Sequence, residues 1–236
     1  IQVMHARSEG GSADGWFVAA KGGHNAESHN HNDVGSFVVY IDGFPALVDV
    51  GVETYSRKTF SGSRYDIWTM QSGYHNLPTV NGVSQKAGRK YKAKDVYYNS
   101  ADKFAELSQD ISGAYPEAAG IVSWERAVRL ERAKGITLTD RFKLKSAPDG
   151  LTFSLMTPYA AVVGDGQIEI SGTPDGEEKQ IEFTIEFDAK KLDPVVEDIT
   201  LDDRQLRRAW GDTMRRILFT HRNNPVEGTI KFEIRR

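Results

Sequence analysis

The feature that most constrains this chain is a series of short apolar runs separated by turn dipeptides. Twelve runs read as strands: residues 15–20, 36–41, 44–50, 90–98, 104–111, 121–130, 136–144, 152–157, 168–171, 181–187, 214–220 and 229–234. Asp42-Gly43 lies between two of them, and both residue types tolerate the left-handed backbone that a two-residue hairpin requires. Lys134-Gly135, Asp149-Gly150, Gly164-Asp165-Gly166 and Asp175-Gly176 punctuate the later runs. A helix is expected only over residues 202–210, which open on an acidic turn and stop before Gly211. Residues 57–72 read as a long loop carrying aromatic side chains. This pattern predicts an all-β fold, a large antiparallel β-sandwich of two or more packed sheets with one short helix. No repeat or linker interrupts it, so a single domain over residues 1–236 is expected.

Composition sets limits on the chemistry. Hydrophobic residues make up 39% of the chain, enough to fill a core, and the net charge is −3 from 30 basic and 33 acidic residues. Any hold on an anionic polymer therefore comes from local patches, and nucleic-acid binding is not expected with this balance and no recognisable module. The chain has no cysteine, which removes disulfides and thiolate metal sites and leaves histidine, carboxylate and water as metal ligands. No apolar run has the length of a membrane span and no signal-peptide pattern opens the chain. Its start at Ile1 without an initiator Met reads as a processed product or a piece of a longer protein.

Chemistry concentrates in one place. Four of the six histidines fall between His24 and His75, and the segment His29-Asn30-His31-Asn32-Asp33 places imidazoles beside amides and a carboxylate. Imidazole and carboxylate are both zinc ligands and proton-transfer groups. His31, Asp49 and His75 make a candidate N/N/O set with a fourth position open. In an extended chain His29, His31 and Asp33 would share a face with Phe37, Val39 and Ile41. A regular hairpin at Asp42-Gly43 would set Ser36 opposite Asp49 and turn Asp49 away from His31. A bulge or kink is therefore required, with Gly35 and Gly51 as the candidates.

Gly22-Gly23-His24-Asn25, His29-Asn30-His31-Asn32-Asp33-Val34-Gly35-Ser36-Phe37, Asp49-Val50-Gly51 and His75-Asn76 together resemble the heparinase II/III family of polysaccharide lyases. The likeness is to the C-terminal β-sandwich portion of those enzymes and covers the chain. It implies β-elimination on a uronic-acid-containing polysaccharide, with a leaning toward heparin and heparan sulfate and a periplasmic or secreted setting. It also implies that His29 faces the cleft as a catalytic group, while His31, Asp49 and His75 bind a mainly structural zinc. A partner is implied too, the N-terminal helical toroid domain that supplies the other wall of the cleft. Nothing before Gly15 could be that domain, so little activity is expected from this chain alone.

Tyr55, Arg57, Arg64, Tyr65 and Trp68 form an aromatic and basic stretch suited to sugar stacking and carboxylate binding, with Tyr55, Arg64 and Tyr65 the candidates for substrate contact. Lys86, Arg89, Lys90, Lys92 and Lys94 read as the solvated face of a strand, and Arg207, Arg208, Arg215 and Arg216 are equally open to that reading. Two alternatives to a lyase domain remain: a non-catalytic carbohydrate-binding or structural module that keeps the zinc, and a metal-dependent hydrolase.

Overall fold

The computed structural model describes residues 2–174 and 176–236. Ile1, and Asp175 of the turn expected at Asp175-Gly176, lie outside the described residues. In chain order the strands are β1 (Val3–Arg7), β2 (Trp16–Lys21), β3 (His24–Asn25), β4 (Phe37–Ile41), β5 (Phe44–Leu47), β6 (Pro78–Val80), β7 (Gly88–Lys92), β8 (Lys94–Ala101) and β9 (Phe104–Asp110). They continue with β10 (Ile121–Glu131), β11 (Gly135–Leu144), β12 (Leu151–Thr157), β13 (Ala160–Val163), β14 (Gln167–Gly172), β15 (Ile181–Phe187) and β16 (Leu192–Thr200). The helix α1 (Arg204–Trp210) precedes β17 (Thr213–His221) and β18 (Glu227–Arg235). Asp203 caps α1 by accepting the N–H groups of Gln205 and Leu206, and also accepts that of Thr54. Among the described residues no helix is long and apolar enough to cross a membrane.

The strands form the expected antiparallel sandwich. An eight-stranded sheet runs β13-β14-β15-β18-β11-β10-β9-β8. The sheet β16-β17-β12-β6 and the sheet β1-β2-β4-β5 pack against it, the latter through β1 on β9 and β2 on β10 and β11. A two-stranded ribbon pairs β3 with β7. Alternation explains the burial: Trp124, Arg126, Val128 and Leu130 of β10 point inward while their neighbours are more exposed. Between the sheets runs an aromatic spine, in which Trp124 stacks on Phe142 at 5.0 Å and meets Phe153, Phe153 meets Phe232, and Phe232 meets Phe219 at 4.8 Å. Each buried ring stabilises the sandwich by about 1.5–3 kcal/mol through area removed from water.

Several strands lie outside the twelve expected. Leu192–Thr200 contains Pro194, and Pro78–Val80 opens on a proline. Both are edge strands, where a missing N–H costs no ladder bond. Val3–Arg7, His24–Asn25 and Ala160–Val163 are short. The run expected over 90–98 is two strands, divided where the Ala93 N–H turns to the carbonyl of Gly23. The loop expected over 57–72 holds 3₁₀ turns at Lys58–Phe60, Arg64–Asp66 and Trp68–Met70, with a fourth at Ser72–Tyr74.

One polar group lies at the centre of this apolar interior. Arg126 and Asp140 are direct cross-strand partners, 1% and 0% exposed. Arg126 Nε and Nη2 each donate to the Asp140 carboxylate at 2.8 Å, and Trp124 Nε1 donates to the same carboxylate at 2.7 Å. The remaining nitrogen, Nη1, donates to the carbonyls of Gly35 (3.1 Å) and Asn76 (2.6 Å). Removing one partner leaves a desolvated charge, which costs far more than the pair contributes. Arg126→Met is therefore expected to lower unfolding free energy by about 3–5 kcal/mol in urea titration. The double variant Arg126→Met/Asp140→Leu should regain only part of that loss, because the Gly35 and Asn76 carbonyls remain without their donor.

Candidate functional site

Two loops meet above the sandwich, the segment between β3 and β4 and the 3₁₀-rich segment between β5 and β6. The first is not the extended strand expected from its alternation. His29 adopts a left-handed conformation at φ +56°, and Gly35 does so at +89°. Gly35 is required there twice over, since a Cβ at this position would also lie 2.7 Å from the Ile111 side chain. His29, His31 and Asp33 consequently do not form one face. His29 is exposed, whereas Asn30, Asn32 and Asp33 are buried.

The distortion needed to bring Asp49 to His31 is present and begins in β5. Asp42 and Gly43 make the expected hairpin turn, both with positive φ, and Ile41 pairs with Phe44 and Tyr40 with Pro45. Val39 then pairs with Leu47, so Ala46 is an extra residue. Such a slip turns everything after it to the other face. Gly51, at φ +85°, adds a second bend, and its N–H donates to Asp49 Oδ1 at 2.7 Å.

His31, Asp49 and His75 converge. His31 Nδ1 lies 3.1 Å from His75 Nε2 and 3.7 Å from Asp49 Oδ2, while His75 Nε2 lies 3.3 Å from the same oxygen. Zinc ligands at about 2.0–2.1 Å in a tetrahedron are separated by about 3.3 Å, so this trio has the spacing of three corners of a site. Supporting contacts aim the donors. His75 Nδ1–H donates to the Gln71 carbonyl at 2.9 Å, which directs Nε2 inward, and the Gly51 bond leaves Asp49 Oδ2 free. Burial opposes charge on His75, but Asp49 outweighs it by attraction and hydrogen bonding and lifts the group to about 9. Burial dominates at His31 and pushes its imidazole below the ordinary value. Burial also opposes charge on Asp49, yet His75 holds that carboxyl well below the usual carboxylate range.

His29 belongs to a different cluster. Its ring stacks on Tyr55 with centroids 6.1 Å apart and planes 12° apart, and Nδ1 lies 3.2 Å from the Tyr55 hydroxyl. Phe60, 71% exposed, packs edge-on against Tyr55 at 5.4 Å. Between the two histidines, Asn30 is gripped by neighbouring residues of the second loop. Arg64 Nε donates to its carbonyl at 3.0 Å, and its side-chain amide donates to the Tyr65 hydroxyl at 3.1 Å. Arg64 Nη1 donates to the Thr59 carbonyl, and Nη2 is buried with no partner among the described residues. Of the residues expected to contact substrate, Tyr55 thus touches His29, while Arg64 and Tyr65 hold the turn that carries it. Trp68 packs away from this cluster against Tyr74, and Arg57 is exposed.

Residue-by-residue reading passed over the supports. Asn76 donates to the Phe37 carbonyl and accepts the Met156 N–H, joining β4 to β12 beside His75. Gln85 accepts from Asn25 and from the Val34 N–H and donates to the Val34 carbonyl, all while buried. Arg126 was detectable in principle, being a charged residue in register with Trp124 and Val128 on the core face of a strand.

Residues 3–223 match the family described as heparinase II/III-like, C-terminal. No curated protein matches the chain. Among solved structures, the heparan sulfate lyase HepC from Pedobacter heparinus superposes with a TM-score of 0.70 at 16% identity, over 93% of this chain and 33% of that one. A heparinase III gene product gives 0.70 at 12% identity, over 98% and 34%, and another heparinase III gives 0.68 at 14%, over 98% and 34%. The chain spans about a third of the length of these neighbours, with which it shares its fold. With the family match extending over nearly all of its length, the chain belongs to the heparinase II/III-like C-terminal family.

Proposed function

We propose that this chain forms one wall of a lyase cleft that cleaves a uronic-acid-containing polysaccharide of the heparin or heparan sulfate type by β-elimination. The observation that carries the reading is the division of labour around Asn30. One histidine is exposed and held by a tyrosine, while the next but one is turned inward to a carboxylate and a second histidine. The opposite wall, with the acid that protonates the leaving oxygen, would come from an N-terminal helical toroid domain of the same protein. The family setting supports a periplasmic or secreted location.

In this reading His29 is the general base. Its Nδ1–H donates to the Tyr55 hydroxyl, which steadies the ring and leaves Nε2 free to accept the proton from C5 of the uronate. The electron pair moves to form the C4–C5 double bond as the C4–O bond breaks. Fixed donors around the uronate carboxylate stabilise the charge that develops on the enolate-like intermediate. Zinc is assigned to His31, Asp49 and His75, where it supplies cross-linking between the two loops. Those residues have the donor types, spacing and supporting bonds to hold it.

In the full-length protein, His29→Ala is expected to reduce turnover by about 10²–10⁴-fold, read as absorbance of the unsaturated uronate product, with melting temperature unchanged. Activity equal to wild type would remove His29 from the mechanism. The 236-residue chain alone should give no measurable product.

Metal analysis of the purified chain is expected to find one zinc per molecule, lost in the double variant His31→Ala/His75→Ala. Chelation should lower the melting temperature by several degrees, because a ligand bound only to the folded state stabilises it. A metal-dependent hydrolase would instead lose activity on chelation while its substrate range excluded β-elimination. Wild-type protein free of zinc, or a double variant that retains it, would count against the assignment.

A further inference from the structure

We propose that the polyanion bound at the His29 site continues across a second, cationic subsite built by β7 and the loop that precedes it. The inference rests on the lyase reading above and extends it to the path of the polymer.

Charge is sharply segregated in this chain. Residues 54–94 hold eight basic side chains and one acid, in a protein whose net charge is −3. Pairing is segregated as well. Arg57, Lys58, Lys86, Arg89, Lys90 and Lys92 are all exposed, and none has a carboxylate within 4.0 Å among the described residues. The pattern stops at Lys94, which pairs with Asp110 at 3.3 Å. Elsewhere the surface cations are commonly matched, as Lys145 is by Glu117, Arg215 by Asp198 and Arg222 by Asp193. An unmatched row of cations carries a mutual repulsion that a bound polyanion relieves.

Position makes the row part of the site. β7 pairs with β3, His24 opposite Lys92 and Asn25 opposite Gly88, immediately before the turn that carries His29. A cavity of about 270 Å³ lies between Tyr65 and Asn32 of the site loops and Ser84, Lys86 and Ala87 of the segment before β7. Its floor is rigid, because Asn25 donates to the Lys86 carbonyl and the Lys86 N–H bonds to Ala114. Lys90 and Lys92 stand on one face of β7, separated by about 7 Å. A sugar chain leaving His29 past Tyr65 meets this cavity and then the row of ammonium and guanidinium groups. The ligand class is an extended polysaccharide bearing carboxylate or sulfate on successive residues.

The test measures binding of a size-defined heparin oligosaccharide to the 236-residue chain by calorimetry across a salt series. The variant Lys86→Ala/Arg89→Ala/Lys90→Ala/Lys92→Ala should weaken binding at least tenfold. It should also flatten the dependence of log Kd on log[salt] by about 0.7–0.9 per lost contact, with melting temperature unchanged. A control variant, Lys103→Ala/Lys143→Ala/Lys190→Ala/Arg208→Ala, makes the same change in net charge on other faces and should bind within twofold of wild type. If wild type binds and the β7 variant binds equally well, the second subsite falls while the cleft reading stands. The same holds if the control variant weakens binding as much as the β7 variant. If wild type does not bind at all, the second subsite falls, and the cleft reading is decided separately by the His29→Ala assay in the full-length protein.

Discussion

The guanidinium of Arg126 is bound on one side by Asp140 and on the other by the carbonyls of Gly35 and Asn76. It is the point at which the sandwich and the site become one structure. An ion pair with no access to water is not kept for stability alone, since apolar residues of equal volume would often serve as well. Here the pair has a further task. Gly35 lies four residues after His31 and Asn76 one residue after His75, so a single side chain fixed in the eight-stranded sheet sets the height of both histidine loops. Asp140, aligned by Trp124, keeps that side chain oriented.

Long segments without regular structure must satisfy their backbone groups by other means. In this chain amide side chains do so. Asn25, Asn30, Asn76 and Gln85 are buried, and each bonds a backbone group: Asn25 the Lys86 carbonyl and Asp33 N–H, Asn30 the Glu27 N–H, Asn76 the Phe37 carbonyl and Gln85 the Val34 carbonyl. The left-handed residue at His29 follows from the same arrangement. With Asn30 held by Arg64 and Tyr65 and the Asn32 N–H bonded to the Met70 carbonyl, the chain between has little freedom, and the two histidines emerge in different settings. One serves a buried cluster and the other an exposed aromatic one.

What was legible in the sequence follows from this division. Strands with an apolar face were readable because alternation is written residue by residue, as in Ile181–Phe187, whose observed limits are the expected ones. Edge strands bearing Pro78 and Pro194 were not, since their pairing is decided by a neighbour. The need for a distortion between His31 and Asp49 could be deduced from parity, and Gly35 and Gly51 do bend the chain. The slip at Ala46 could not be deduced, because nothing in Phe44-Pro45-Ala46-Leu47 marks which residue goes unpaired. Residue types and their order pointed to the trio, whereas its supports are tertiary. Gln71 and Gln85 become relevant only when the loops are folded together.

The unpaired cations of β7 and the trio of His31, Asp49 and His75 make different demands on this surface, and the fold separates them. A polyanion requires cations that remain solvated and unpaired until it arrives, as on β7. A structural cation requires donors withdrawn from solvent and aimed by second contacts, as His75 is by Gln71. Were the two sets intermixed, the carboxylate of Asp49 would pair with a lysine or repel the polymer. The inward turn at His31 and the slip at Ala46 bring Asp49 to the two histidines. In the loop of alternating His, Asn and Asp, Asp33 is buried and paired with Lys21, while His29 stays exposed.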